Sequence, residues 1–228
     1  MLTTTSVPNV LSRTPLFQGL APEQLDALSR GCRFVSLDRG EAAFHQGEPV
    51  RGFFMVLRGQ LQLTVSTADG ARKVVEIIRE GESFGAAILF EGRDSPATAT
   101  ALVVTELLVV SGTAVFGLFD RDPAFARRIL ANMAGRLHRL LQDVKSYSLL
   151  SGTQRVVGLL LQEAEGDDAT RGTVLLPTRK QVLASRLNIA PETFSRVLHD
   201  LSADGLIGVE GSRVVLHDVP RLTALLER

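Results

Sequence analysis

Glu192, Ser195 and Arg196 place a carboxylate, a hydroxyl and a guanidinium within one turn and a half of chain. If Phe194, Val197, Leu198 and Leu201 take the inner side of a helix, these three polar groups face outward from its N-terminal half. Such a set can read base edges. A guanidinium can donate two hydrogen bonds to guanine O6 and N7, and a carboxylate can accept one from cytosine N4. The segment around them supplies its own punctuation. Pro191 opens the helix, because its missing N–H is no loss at the first helical position. Asn188, which tolerates left-handed backbone, suits a tight turn just before it. Upstream, Thr178 with Gln181 has the form of a capping box, and Val182, Leu183 and Leu187 give a first helix its apolar face. Two short helices joined in this way form a helix-turn-helix, whose second helix lies in a major groove.

The surroundings point the same way. Residues 178–199 hold Arg179, Lys180, Arg186 and Arg196 against Glu192 alone, a local charge of +3 in a chain whose formal total is zero. That is the footprint expected of phosphate contact, rather than of a helical pair kept soluble by scattered charge. Asp204-Gly205, Leu206 to Val209, Gly211-Ser212 and Arg213 to Leu216 then read as a turn and a two-stranded hairpin, so the module is expected to be winged.

With 228 residues, 45% hydrophobic and 22% charged, the chain has the composition of a globular protein with room for two cores. No run approaches the roughly 18 apolar residues of a membrane span. The N-terminal Met1 to Pro8 lacks a basic segment followed by an apolar one, so a cytoplasmic location without membrane association is expected. Cys32 is the sole cysteine, which excludes an intrachain disulfide and an iron–sulfur cluster held by several cysteines of one chain. It reads as a packing thiol.

Positioning these residues calls for three kinds of element. A short helix is expected from Pro22 to about Arg30. From Phe34 to about Phe116, short apolar or alternating runs (Phe34–Leu37, Ala42–His45, Phe53–Leu57, Gln60–Ser66, Val74–Ile78, Leu102–Val110) are separated by glycines, as in an antiparallel sandwich or roll. Asp69-Gly70 is the clearest hairpin turn. Asp122-Pro123 then starts a long helix to about Tyr147. Along it Leu130, Met133, Leu137, Leu140, Val144 and Tyr147 recur at alternating spacings of three and four, the spacing of a coiled-coil dimer seam. A homodimer would also let two recognition helices meet half-sites one helical turn apart. A further helix, about Gln154 to Glu165, leads through a polar stretch at 166–172 to the helix-turn-helix.

This order of β-roll, long helix and winged module resembles the family of bacterial transcription factors named for the cyclic-AMP receptor and the fumarate–nitrate reduction regulator. The roll carries the resemblance in Phe44-His45-Gln46-Gly47-Glu48, in Phe53 to Gly59, and in Gly81-Glu82-Ser83-Phe84-Gly85 followed by Leu89-Phe90. The fold it implies is α+β: an N-terminal double-stranded β-helix (jelly roll, cyclic-nucleotide-binding-like) over 1–120, a dimerisation helix over 121–150, and a C-terminal winged helix-turn-helix over 151–228. Pro191-Glu192-Thr193-Phe194-Ser195-Arg196 is similar to the Glu-x-x-Ser-Arg recognition helix of the fumarate–nitrate branch. The resemblance therefore assigns Glu192, Ser195 and Arg196 to a TTGAT-type half-site, and Thr178, Arg179, Lys180 and Thr193 to the DNA backbone. It also implies activation of transcription through RNA polymerase, with 163–173 as a candidate surface.

Departures from the family pattern matter as much. Cyclic-AMP sensors carry a Glu and an Arg-Ser pair where this chain has Ala86, Pro96 and Ala97. A phosphate buried without its arginine would be uncompensated, so cyclic AMP is not the expected effector. The cysteine cluster of the oxygen-sensing branch is missing too. Ala190 to His199, Ser95 to Ala99 and Arg136-Leu137-His138 resemble the dissimilatory nitrate respiration regulators, a branch associated with nitric oxide and haem. Of the histidines, His138 is the candidate haem ligand, beside the seam, against the plainer reading of a surface histidine. Met133 would serve as a sixth ligand only alongside it. His45 reads as structural, His199 as a phosphate neighbour, and His217 has no assigned role. A regulator that is independent of any ligand, its roll a scaffold, remains the alternative. No nucleophile elbow, metal-spaced His/Cys set or phosphate-cradling glycine loop points to an enzyme.

Overall fold

A computed structural model describes residues 6–164, 170–176 and 178–226. Glu165, where the helix before the polar stretch was expected to end, the middle of the 163–173 surface and Pro177 lie outside the described residues. The chain divides into two compact units, Met1–His138 and Arg139–Arg228, with the boundary inside the long helix. No helix among the described residues is long and apolar enough to cross a membrane.

The first unit begins with α1 (Val7–Arg13), a single 3-10 turn and α2 (Pro22–Ser29). Then come β1 (Cys32–Leu37), β2 (Ala42–Phe44), β3 (Gly52–Arg58), β4 (Gln60–Ser66), β5 (Arg72–Arg79), β6 (Ser83–Phe84), α3 (Ala86–Glu91), β7 (Thr98–Ala101), β8 (Thr105–Ser111), α4 (Gly112–Phe119) and α5 (Pro123–Leu149). The strands form two four-stranded antiparallel sheets, ordered β1-β8-β3-β6 and β2-β7-β4-β5. β4 and β5 pair across the expected Asp69-Gly70 turn, where Gly70 takes a φ of 87° that a side chain would disfavour.

Alternation in β3 explains why it is buried on both sides. Phe54 and Val56 enter the space between the sheets with Leu37, Phe44, Phe84 and Leu107, while Phe53 and Met55 face the helices with Phe17, Leu28, Val115, Phe125 and Ile129. The Phe54 and Phe84 rings stack at 5.0 Å between centroids. Asp122 caps α5 as expected, its Oδ1 accepting from the N–H groups of Ala124 (2.8 Å) and Phe125 (3.1 Å). The Phe125 N–H foremost holds the Asp122 carboxyl below its ordinary pKa. The half-buried Cys32 thiol donates to the Leu28 carbonyl at 3.2 Å, and burial pushes its pKa to about 11. Thiolate is therefore scarce near neutrality, in keeping with a packing role.

The structure differs from the expectation at several places in this unit, the helix α1 among them. The run Leu102–Val110 is not one strand: β7 ends at Ala101, a turn follows, and β8 starts at Thr105, whose Oγ1 donates to the Val103 and Gln60 carbonyls. Apolar content carried the run through a reversal that a side-chain hydroxyl closes. Helices α3 and α4 were also hidden, since each is a short apolar stretch of the kind that periodicity alone cannot tell from a strand.

The second unit holds the last turns of α5, then α6 (Gly152–Gln162), β9 (Gly172–Leu175), α7 (Lys180–Arg186), α8 (Pro191–Ala203), β10 (Ile207–Glu210), β11 (Arg213–Leu216) and α9 (Val219–Ala224). α6 starts two residues before the expected Gln154, because Ser151 and Gln154 form a reciprocal capping box: the Ser151 N–H donates to Gln154 Oε1 (2.8 Å) and the Gln154 N–H to Ser151 Oγ (3.2 Å). The expected two-stranded wing is completed by β9, which pairs with β11 to make a three-stranded sheet.

Candidate nucleic-acid interface

Asn188 stands at φ 57°, the sole positive-φ residue other than glycine among those described, and makes the turn between α7 and α8. Pro191 begins α8. Phe194, Val197, Leu198 and Leu201 are buried, and Glu192, Ser195 and Arg196 are exposed on the opposite side of the helix, as their spacing requires. A carboxylate, a hydroxyl and a guanidinium are thus presented together by the first turn and a half of α8. Arg179 is exposed, while Thr178 and Lys180 are half-buried. Thr193 is also half-buried, its methyl group 3.6 Å from where a Cβ on Gly152 would stand, so it leans towards α6.

The Thr178–Gln181 capping box does not form. α7 begins at Lys180 with Arg179 at its N-cap and no side-chain cap, the Val182 N–H donating to the Arg179 carbonyl instead. Arg186, counted above in the local positive charge, is drawn inward. Its Nη2 donates to Asp143 Oδ2 and its Nη1 to the Tyr147 hydroxyl, both at 2.6 Å, while the Tyr147 hydroxyl donates to the Arg186 carbonyl. Burial alone would lower the Arg186 pKa; Asp143 and Tyr147 more than offset it and hold the guanidinium above its ordinary value. Its charge is committed to the last turns of α5, so the phosphate-facing charge of this module is smaller than composition suggests.

Arg155 joins the same network. Its guanidinium donates to four backbone carbonyls: Leu150 (3.0 Å), Leu187 (3.1 Å), Asn188 (3.0 Å) and Tyr147 (3.2 Å). It closes the C-terminal end of α5 and the α7–α8 turn together, with its carbon 5.9 Å above the Tyr147 ring. Sequence reasoning missed Arg155. Its neighbours in sequence carry only the capping signal at Ser151, and nothing in the chain marks it apart from a surface arginine.

On α5, Leu130, Leu137, Leu140 and Val144 are exposed, as is Leu141 beside them. Met133 and Tyr147 break from this stripe: Met133 packs on the helix-facing core of the first unit, and Tyr147 serves Arg186. Met133 is thereby engaged by apolar neighbours rather than offered as an iron ligand. His138 is exposed on α5, and His199 and His217 are exposed in the second unit. His45 Nδ1 lies 3.3 Å from Glu48 Oε1, and the Glu48 carboxylate accepts from the His45 N–H at 2.8 Å, closing a turn as a structural residue would. Where cyclic-AMP sensors hold their ligand, Ala86 and Ala97 are buried, and Arg136 of α5 is tied to Glu76 of β5 and to the Ser83 carbonyl.

A β-roll followed by a long helix and a three-stranded winged helix-turn-helix defines a class of DNA-binding regulators. Residues 34–122 match the cyclic nucleotide-binding domain family, and residues 154–225 match the Crp-like helix-turn-helix domain family. The chain is 30% identical over 215 residues to a cyclic AMP receptor protein of Thermus thermophilus, spanning 94% of this chain and 95% of that one. Among solved structures, DNR from Pseudomonas aeruginosa is 33% identical with a TM-score of 0.51, covering 98% of this chain and 100% of that chain. FixK2 from Bradyrhizobium japonicum superposes with a TM-score of 0.76 at 23% identity over 85% of this chain and 96% of that one, a likeness of fold. The chain belongs to the Crp/Fnr family and is a DNA-binding transcriptional regulator of that type.

Proposed function

We propose that this regulator acts as a homodimer on a TTGAT-type palindrome, with Glu192, Ser195 and Arg196 reading bases and Thr178, Arg179, Lys180 and Thr193 placed along the backbone. The observation that carries the proposal is the exposed Glu192–Ser195–Arg196 face of α8 backed by a fully apolar inner side. The exposed stripe Leu130, Leu137, Leu140 and Val144 supports a second copy as the partner, since four large apolar side chains along one helix favour burial.

The test is a gel shift at matched salt on a TTGAT-N4-ATCAA duplex, on the same duplex with one half-site scrambled, and on a fully scrambled one. The intact palindrome should bind far more tightly than the single half-site. Arg196→Ala is expected to cost about 1–3 kcal/mol on the palindrome and to relax preference at one base pair, whereas Arg179→Ala should weaken all three duplexes alike. Full specificity retained by Arg196→Ala would sink the assignment.

The effector belongs to the same proposal. Ala86 and Ala97 in place of charged and polar groups, and the tie between Arg136 and Glu76, argue against cyclic AMP. His138, exposed on α5, would be the residue that holds a haem, and the haem would supply an iron that binds nitric oxide. With Met133 packed against the core, His138 is the one protein ligand this reading uses. An anaerobic haemin titration should then give a saturable Soret band at one haem per chain, lost in His138→Ala. Absence of the band, with specific DNA binding intact, would favour the alternative in which the roll acts as a scaffold without an effector. Contact with RNA polymerase, and hence activation, is carried over from the family, and a transcription assay on a TTGAT promoter is its direct check.

A further inference from the structure

A cavity of about 670 Å³ opens at the end of the β-roll beside β1, and Arg30, Arg33 and Arg51 line it together with Phe44, Phe54 and Val109. The arginines are exposed and the apolar residues buried, so the cavity has a cationic rim over a hydrophobic floor. Strand register shows how Arg33 comes to be there. It pairs with Val109 of β8, which pairs with Phe54 of β3, and residues paired across an antiparallel ladder face the same side. Val35 and Leu37, the next residues on that side of β1, pack into the core between the sheets. Arg33 thus occupies an inward-facing position at the open end of an edge strand.

An inward-facing charge on an edge strand can serve simply to discourage pairing with another sheet. That accounts for one arginine, not for three arriving from different elements. Arg30 ends α2 and Arg51 immediately precedes β3. Among the described residues none of the three side chains has a hydrogen-bond or ion-pair partner. Glu48, the carboxylate in the lining, is already engaged by His45. Three guanidinium groups against the one Glu48 carboxylate leave the lining net positive, which favours an anion, and the Phe44–Phe54 pair, 5.4 Å between ring centroids, favours an apolar body. The volume is in the range of small-molecule sites. Ala86, Pro96 and Ala97, where the cyclic-nucleotide sensors hold their ligand, are not part of this lining.

We propose that this mouth of the roll binds an amphipathic organic anion, its apolar or aromatic body on Phe44, Phe54 and Val109 and its carboxylate or phosphate among Arg30, Arg33 and Arg51. The site is independent of the DNA and haem readings. The test is calorimetric titration of the full chain with 2-naphthoate and with 2-naphthyl phosphate, using neutral 2-naphthamide and inorganic phosphate as controls. One site per chain is expected, with at least one acid binding about tenfold or more tightly than either control. Arg33→Gln and Arg51→Gln should each weaken it about tenfold, with melting temperatures close to that of the unaltered protein. The stronger of the two acids identifies the head group. Naphthamide or inorganic phosphate binding as well as the acids, no saturable binding of either acid at millimolar concentration, or affinities unchanged in both variants would each overturn the proposal.

Discussion

Replacing Phe194 with Ala is expected to abolish DNA binding without touching a base. Phe194 is 0% exposed and is the largest fully buried side chain of the second unit. Truncating a buried phenylalanine costs about 3–5 kcal/mol, because the lost transfer energy is joined by a cavity the backbone cannot collapse. A whole domain has only roughly 5–15 kcal/mol to lose. Circular dichroism should show an earlier thermal transition for the Phe194→Ala protein, and gel shifts should fall on palindromic and scrambled duplexes together. That pattern separates scaffold from reader, since Arg196→Ala should keep the melting curve and lose discrimination. Phe194→Leu, which retains most of the volume, should recover much of the stability. An unchanged melting curve for Phe194→Ala would mean that the inner side of α8 is not what holds it.

Arg155→Ala is the second large expected effect. One guanidinium satisfies carbonyls at the end of α5, just after it and in the α7–α8 turn. Its loss leaves those oxygens to find water in a part-buried setting, at a combined cost of about 2–4 kcal/mol given what one charged hydrogen bond contributes. Arg155→Lys should restore little of it. An ammonium is a compact point charge and cannot span carbonyls that a planar fork reaches in two directions. Urea unfolding of the full chain followed by circular dichroism is the direct measurement, with DNA affinity as the second readout: all sequences should weaken alike. If Arg155→Lys behaves as the unaltered protein, charge alone suffices and the fork geometry contributes nothing.

Much of the interface was legible before any coordinates because its signals are local. Proline at a first helical position, asparagine at a left-handed turn and a helix with one apolar side are decided within a few residues, and Asn188, Pro191 and the outward face of Glu192, Ser195 and Arg196 stand as read. The same holds for Asp122 as a cap and Asp69-Gly70 as a hairpin turn. Where local signals compete, the reading slipped. Thr178 and Gln181 have the form of a capping box, but α7 starts after Arg179, and Leu102 to Val110 is largely apolar yet turns back before Thr105.

Residue type and spacing settled that the outer side of α8 is polar, that the roll is built from short apolar or alternating strands and that α5 carries an apolar stripe. Long-range pairing settled the rest. Arg155 and Arg186 are two of many arginines in the chain, and only the packed unit sets one on four carbonyls and the other between Asp143 and Tyr147. Arg33 looks like a surface charge until β1 is registered on β8 and β8 on β3, which turns it towards the open end of the roll beside Arg30 and Arg51. A caps-and-periodicity reading sees a few residues at a time. Which charges end up neutralised and which are left facing a cavity depends on partners dozens of residues away, brought together by burial of apolar side chains.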